Sequence, residues 1–297
     1  MRFSPTAGFG FPALAAGILI ISFSPLLVQV SEVGPSATAV YRMLFALPAL
    51  TAWMLLEQRT DPVRLRRLTA RDWALLALAG LLFTGDLVAW HSAIRMSGVA
   101  NATFLAHLST PIVSLGAWFL FRERLTWGFM AGLVLAMAGI ALIMGASILA
   151  PSGNLLGDGL GLLTAFFYGA YLLAIKQLRE SLPSGLIMAV SSAFSLAGLL
   201  VAALVMGEGL IPVTLLGWGT LVAIGLVIHS GGQGLITVAF RHLSASFASV
   251  ALLATPVLAA LFGWLLLGET LTLLQSLGCA AVLAGIALSQ RLSARQA

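Results

Sequence analysis

The residues of this sequence that are best suited to chemistry are a few ionisable and polar side chains set inside long apolar segments. Asp86 is followed four residues later by Trp90, on the same face of a predicted helix, and then by His91. A carboxylate in this setting predicts a cavity wall that binds a substrate ammonium or relays a proton. It is equally consistent with a buried ion pair to Arg42 that only locks two helices together.

Further polar side chains recur at helical spacing in three other apolar segments. Such stripes predict either surfaces that face a hydrated cavity or hydrogen bonds between helices, which contribute only about 0.6 kcal/mol on average in membranes. With the Asp86 segment included, we expect a set of nine residues to contact substrate. They are Asp86, Trp90, His91, Asn101, His107, Tyr168, Tyr171, His229 and Gln233.

No arrangement of residues in the sequence favours catalysis or metal binding. The four His residues show no HExxH spacing, and Cys279 is the single cysteine. An intramembrane enzyme would need a nucleophile with its base, or a metal cluster, on adjacent helices. His91, His107 and His229 could converge, but no carboxylate-rich pattern accompanies them. We therefore expect no catalytic residue, no metal and no cofactor. A channel would be expected to carry charge rings or a filter-like loop, and neither is present.

The elements that must position these side chains are membrane-spanning helices. Sixty per cent of the residues are hydrophobic and 8% are charged, whereas a soluble chain carries roughly 25% charged residues. A span needs about 20 mainly apolar residues, and the sequence contains ten such runs. They cover residues 9–30, 36–56, 73–93, 99–120, 127–147, 157–176, 185–206, 213–235, 244–266 and 272–290. This predicts an all-α membrane protein with the lipid bilayer as its partner.

The basic residues predict the orientation of these spans. If the N-terminus is cytoplasmic, 13 of the 15 Lys and Arg residues fall in cytoplasmic segments, while Arg95 lies outside and Arg42 lies within a helix. This distribution follows the positive-inside rule and places both termini in the cytoplasm, as in a bacterial-type inner membrane. The same placement in short loops explains the net charge of +5 without a nucleic-acid partner.

An internal repeat divides the chain into two halves. The sequence Ala138–Leu142 recurs as Ala284–Leu288, and Glu123–Thr126 matches Glu269–Thr272 at the same offset of 146 residues. We expect a first five-helix repeat over residues 1–147, a linker over 148–156, and a second repeat over 157–297. Five helices are an odd number, so the second repeat is inverted. Inverted repeats are typical of secondary transporters, with the substrate near the midplane, although channels also contain them.

Two matched pairs of residues follow from this repeat. Pro111 and Pro256 occupy corresponding positions in the fourth and ninth helices. They predict interrupted helices beside a transport site, or simple kinks. Glu123 and Glu269 each precede the fifth helix of their repeat, where a carboxylate meets the positive end of the helix dipole. We expect these residues, together with Arg42, to have structural roles.

The matched prolines, the Glu-x-Leu-Thr motifs and the Gly-Ile-x-Leu endings resemble the EamA-type drug/metabolite transporter superfamily over nearly the whole chain. Arg42, after an aromatic residue in the second helix, also resembles a common feature of that family; the seventh helix carries no arginine. The resemblance implies export or exchange of small metabolites, and the chain is most similar to bacterial amino-acid exporters. We therefore expect an exporter of small polar metabolites, such as amino acids including aromatic ones, that works by alternating access, with a proton as the candidate coupling ion. The alternatives are an exporter of cationic drugs or nucleotide-type metabolites and, less favoured, an intramembrane enzyme.

Overall fold

The computed structural model describes residues 7–60, 68–145, 154–267 and 271–294, and these ranges contain helices and turns without a strand. The predicted linker 148–156 and Glu269 lie largely or wholly outside the described residues. The helices are Ala7–Ile21, Ser24–Gln29, Pro35–Thr60, Ala70–Ser97, Val99–His107, Ser109–Phe121, Trp127–Met144, Leu155–Leu178, Ser184–Val205, Leu215–Ala223, the π-helix Ile224–Gln233, Gly234–Ala239, Ala245–Leu252, Ala254–Leu267 and Leu273–Ala294.

Within the described ranges, these helices form ten segments that are long and apolar enough to cross a membrane. In chain order, and called the first to the tenth span below, they are Phe9–Gln29, Pro35–Arg59, Ala70–Ser97, Val99–Phe121, Trp127–Met144, Leu155–Leu178, Ser184–Val205, Leu215–Ala239, Ala245–Phe262 and Leu273–Gln290. The prediction of an all-α membrane fold with ten spans is confirmed. We call the face of the bundle whose loops hold Arg122, Arg179 and Arg241 the basic face, and the face whose loops hold Glu32 and Glu208 the acidic face.

Local sequence signals explain where several spans begin. Thr69 and Asp72 form a reciprocal capping box at the start of the third span, which satisfies two otherwise unpaired backbone N–H groups. The Thr126 hydroxyl accepts a hydrogen bond from the backbone N–H of Phe129 at the start of the fifth span. Gly98 adopts a φ of 82° between the third and fourth spans, a conformation that residues with a Cβ rarely adopt. The third span can therefore turn directly into the fourth.

The fourth and ninth spans are both interrupted three residues before their matched prolines. The fourth span breaks at Leu108 ahead of Pro111, and the ninth breaks at Leu253 ahead of Pro256. Proline lacks a backbone N–H and its ring clashes with the carbonyl four residues earlier, so the helical hydrogen-bond pattern cannot continue through it. The two halves therefore share the same break.

The role predicted for Glu123 requires a correction. Its carboxylate does not cap the fifth span that follows it, because Thr126 does so. Instead, its two oxygens accept hydrogen bonds from the backbone N–H groups of Ala245 and Ser246, at 2.7 and 3.0 Å. These residues begin the ninth span, whose unpaired N–H groups and positive dipole end favour a carboxylate. Glu123 thus ties the end of the fourth span to the start of the ninth on the basic face.

The fifth and tenth spans form the most extensive helix pair in the bundle. Glycines allow their backbones to approach closely: a Cβ added to Gly139 would lie 2.7 Å from the carbonyl oxygen of Gly278, and one on Gly132 would lie 2.6 Å from that of Gly285. Small residues permit such contacts between membrane helices. The pairing of the earlier glycine of one span with the later glycine of the other shows that the two spans run antiparallel, as inverted repeats require.

The two halves differ in how their interrupted spans pack. The fourth span lies along the sixth over both of its helical pieces, whereas the ninth span makes only sparse contacts with the first. These two helix pairs are equivalent under the repeat. The looser packing of the first and ninth spans leaves space at the centre of the bundle, and a cavity lies there.

Candidate functional site

The central cavity has a volume of about 110 Å³ and is lined by side chains of the first, second, third, fourth, sixth, eighth and ninth spans. One water molecule occupies about 30 Å³ in the liquid, so the cavity has room for several waters or a small organic group. The four spans that carry the nine residues predicted to contact substrate all contribute to its wall, together with the first, second and ninth spans. The cavity therefore lies between the two halves of the chain.

Two side chains that can carry opposite charges, Arg42 on the second span and Asp86 on the third, line this cavity. The side chains are only 3% and 6% exposed. The Arg42 Nη1 atom donates a long 3.5 Å hydrogen bond to Ser24 Oγ, and its guanidinium carbon lies 5.6 Å from the centre of the Phe83 ring. Within the described residues, no hydrogen bond or ion pair joins Arg42 directly to Asp86. The two side chains are nevertheless close enough to attract each other electrostatically, so they interact across the cavity without a direct bond.

Polar groups without partners complete the wall. Neither amide atom of Gln233 makes a hydrogen bond of normal length to the described residues, although the Tyr168 and Tyr171 hydroxyls lie close to it. Arg42 Nε is also buried without a partner among these residues. Buried polar groups are normally satisfied, and an unsatisfied one costs about 1–3 kcal/mol. His107 Nδ1 lies 2.6 Å from the carbonyl oxygen of Thr103, so Nδ1 carries the hydrogen and Nε2 is an acceptor in the neutral ring. The cavity thus offers donors and acceptors that a polar ligand can satisfy.

Aromatic rings form the apolar part of the wall. Trp90 and Phe83 of the third span and Tyr168 of the sixth line the cavity. Phe83 also packs on Tyr171, with ring centroids 4.6 Å apart, and Tyr171 stacks on Tyr168 at 6.1 Å. This layer of rings supports the inner aromatic surface from behind.

The structure brings together five of the nine residues that were predicted to contact substrate. Asp86, Trp90, His107, Tyr168 and Gln233 line the central cavity. The other four lie elsewhere, and each has a physical reason for its place.

Tyr171 packs behind the cavity between the rings of Phe83 and Tyr168. His229 also lies behind the wall, where its Nε2 atom and Ser192 Oγ are 2.9 Å apart. Asn101 donates from its side-chain amide to the carboxylate of Asp158 on the acidic face. His91 lines a separate pocket near the acidic face.

Several hydroxyl residues of the cavity wall were not among those predicted to contact substrate. Among them, Thr110 and Thr255 each precede one of the matched prolines, and both line the cavity. The repeat was the signal that could have identified this pair. Ser24, Thr103 and Ser249 carry no comparable sequence signal.

Comparisons with known proteins agree with this architecture. The sequence profile of the EamA-like transporter family matches residues 8–145 and 155–290. The pseudopaline exporter CntI of Pseudomonas aeruginosa is 29% identical over 261 residues, which cover 86% of this chain and 89% of that protein. The uncharacterized transporter YwfM of Bacillus subtilis is 28% identical over 229 residues, 74% of this chain and 75% of that one. A crystal structure with 20% identity superposes with a TM-score of 0.78 over 97% of this chain and 98% of the other.

Proposed function

Because the chain belongs to the EamA-like transporter family, we propose that it is a secondary transporter that exports small amino-carboxylate metabolites, amino acids with aromatic side chains among them. The similarity to a protein named as an exporter supports the direction of transport. Family membership also favours transport over intramembrane catalysis. No cofactor enters the proposal.

One observation carries the choice of substrate: Arg42 and Asp86 line the same cavity without a direct bond between them. A charged side chain at the centre of a bilayer costs at least roughly 2.5–3.5 kcal/mol. Two opposite charges that are held apart can each be paired by one ligand that carries both complementary charges. A carboxylate would pair with Arg42 and an ammonium with Asp86, and Gln233 would supply further hydrogen bonds.

The aromatic wall suits a range of side chains. Trp90, Phe83 and Tyr168 offer flat apolar surfaces, and such surfaces stabilise apolar groups without demanding one shape. Aromatic rings of a substrate gain about 0.5–1.5 kcal/mol beyond their buried area when they stack on such residues. Broad specificity that includes aromatic amino acids follows from this arrangement.

The difference in packing between the halves supports alternating access. Equivalent spans pack closely in one half and loosely in the other, and exchange of the two arrangements would move the opening of the cavity to the opposite side. The basic face, by the positive-inside rule, lies in the cytoplasm of a bacterial-type inner membrane. Export would then run from the basic face to the acidic face, with a proton as a candidate coupling ion and the lipid bilayer as the surrounding solvent.

A second candidate function is the export of cationic drugs. Asp86, Trp90 and Tyr168 line the same cavity, and aromatic faces attract organic cations. The buried positive charge of Arg42 weighs against a ligand that carries only positive charge. A nucleotide-type substrate could pair with Arg42 but would be repelled by Asp86.

The test uses three compounds of matched shape in proteoliposomes: phenylalanine, phenethylamine without the carboxylate, and 3-phenylpropionate without the amine. We expect radiolabelled phenylalanine to be transported. A comparison of its transport with and without an imposed pH gradient tests for proton coupling. The other two compounds should be poor competitors. Transport of phenethylamine instead would support the cationic-drug function, and transport of none of the three would reject the proposed substrate class.

A further inference from the structure

A second pocket lies near the acidic face, between the first four spans, and shares no lining residue with the central cavity. Its volume is about 220 Å³, twice that of the central cavity on the same measure. Its polar wall comprises Gln29, Ser31, Thr38, His91 and Arg95. The Ser31 and Thr38 hydroxyls are hydrogen-bonded to each other at 2.7 Å. The pocket is thus roomy, partly polar and distinct from the proposed transport site.

His91 lines this pocket and has a ring nitrogen without a partner among the described residues. The side chain is 1% exposed, and its Nδ1 atom lies 2.8 Å from the carbonyl oxygen of Pro35. A carbonyl only accepts hydrogen bonds, so Nδ1 carries the hydrogen and Nε2 of the neutral ring is an acceptor. His91 Nε2 is buried and has no partner among the described residues. The ligand group that fits this atom is a hydrogen-bond donor, such as an ammonium.

Arg95 supplies the opposite chemistry one helical turn further along the same span. Its Nη2 atom donates to the carbonyl oxygen of Val33 at 2.8 Å, which fixes the guanidinium and leaves other N–H groups available. The fourth span begins beside it, after Gly98, with no side chain capping its first backbone N–H groups. A fixed guanidinium next to an uncapped helix start favours a carboxylate.

We propose that this pocket is a second binding site for the same amino-carboxylate class, with the carboxylate at Arg95 and the start of the fourth span, and the amine at His91 Nε2. The proposal rests on the proposed function for the identity of its ligand. Consecutive residues connect this second pocket, called the outer site below, with the central cavity. Trp90 lines the central cavity, His91 lines the outer site, and their rings lie 5.4 Å apart. A substrate that leaves the central cavity towards the acidic face would meet the outer site next.

The test observes His91 directly. Protein labelled with ¹⁵N-histidine is placed in lipid nanodiscs, and the His91 signals are assigned by their loss in His91→Gln. Phenylalanine is then titrated while the Nε2 resonance is followed. We expect a saturable shift in the wild type and also in Asp86→Asn, because that variant alters only the central cavity. In Arg95→Gln, loss of a charge-assisted bond should weaken the apparent affinity roughly tenfold or more.

Two controls separate the outer site from general effects. Arg241→Gln removes the same charge from the basic face and should leave the titration unchanged. 3-Phenylpropionate lacks the donor for His91 Nε2 and should bind more weakly than phenylalanine. A His91 resonance that does not respond to phenylalanine, or responds equally in wild type and Arg95→Gln, overturns the outer site.

The His91 titration and the transport assay test the two proposals separately. If proteoliposomes transport phenylalanine but His91 does not respond, only the outer site is rejected. If no transport is found but the His91 shift persists in Asp86→Asn, the outer site stands and the proposed central function fails.

Discussion

Glu57 and Glu208 hold the same two helices together from opposite ends. Glu57, near the end of the second span, accepts a 2.6 Å hydrogen bond from the backbone N–H of Gly185 at the start of the seventh span. Glu208, just after the seventh span, accepts a 2.9 Å hydrogen bond from the backbone N–H of Ala37 at the start of the second. Each carboxylate meets the positive end of the partner helix. The second span, which carries Arg42, is therefore fixed at both faces of the bundle.

This relationship predicts that Glu208→Ala destabilises the protein. The variant leaves the N–H of Ala37 without its charged acceptor, and we expect a loss of about 1 kcal/mol in the free energy of unfolding. Thermal unfolding of purified protein in detergent would measure it as a lower Tm. Glu180→Ala is the matched control, because Glu180 accepts its side-chain hydrogen bond from Gln177, only three residues away. Equal Tm values for the two variants would contradict the role of Glu208 in holding the second and seventh spans together.

Neutralising Asp86 should separate transport from folding. We expect Asp86→Asn to lower phenylalanine transport in proteoliposomes at least tenfold, in line with roughly 1.4 kcal/mol or more of lost ligand pairing. Its Tm should change little, because no direct bond to Arg42 is broken. The double variant with Arg42→Gln should transport no better than the single one. Recovery of both stability and transport in the double variant would instead show that the two residues act as a pair.

The close approach of the fifth and tenth spans predicts a strong effect of a single methyl group. Gly139→Ala would place its Cβ 2.7 Å from the carbonyl oxygen of Gly278, and overpacking of this kind costs about 1–3 kcal/mol. Gly159→Ala is the matched control, since an added Cβ there has nothing within 4 Å. We expect only Gly139→Ala to lower the Tm. An unchanged Tm for Gly139→Ala would mean that the spans can separate without cost.

Glu32 predicts a pH-dependent contribution to stability on the acidic face. Hydrogen bonds from the Thr214 hydroxyl and backbone, and from the backbone of Val213, lower the pKa of its carboxyl. A depressed pKa in the folded state stabilises the protein above the unfolded pKa of about 4.3, and this contribution is lost as the pH falls through the folded value.

The measurement is the difference in Tm between wild type and Glu32→Gln over a range of pH. We expect the wild type to melt higher at pH 7 and the difference to shrink in acid. A difference that is constant from neutral pH to about pH 3 would show that ionisation of Glu32 contributes nothing.

Orientation can be tested with cysteines at described, exposed positions in a Cys279→Ala background. Gly209 lies near the acidic face and Glu180 near the basic face. We expect Gly209→Cys to react with an impermeant thiol reagent added to intact cells, and Glu180→Cys to react only after the membrane is opened. The opposite labelling would invert the proposed topology and the direction of export.

The sequence was sufficient for the spans, because hydropathy and loop charge act locally along the chain. It also indicated the breaks before Pro111 and Pro256, since proline disrupts a helix wherever it lies. The cavity was harder to predict. Helical spacing places Tyr168 and Tyr171 on one side of the sixth span, but only the packed neighbours decide that the first lines the cavity and the second is buried behind it.

Long-range partners were beyond the reach of sequence patterns. The bond between Glu123 and the start of the ninth span joins residues more than a hundred positions apart, and nothing near Glu123 specifies it. The π-helix from Ile224 to Gln233 was also not predicted. Its hydrogen bonds follow an i→i+5 pattern, so the α-helical spacing of His229 and Gln233 does not describe how they are arranged.

The glycine contact between the fifth and tenth spans obeys the rule of an interface between identical subunits. Gly132 meets Gly285 while Gly139 meets Gly278, so each surface makes the contact that its counterpart makes in return. In oligomers, this reciprocity is the signature of a two-fold axis. A polypeptide with only five helices and this glycine surface would carry a self-complementary contact for an inverted copy of itself. Fusion into one chain fixes the two copies at equal numbers and lets each half acquire residues, such as Arg42, that the other lacks.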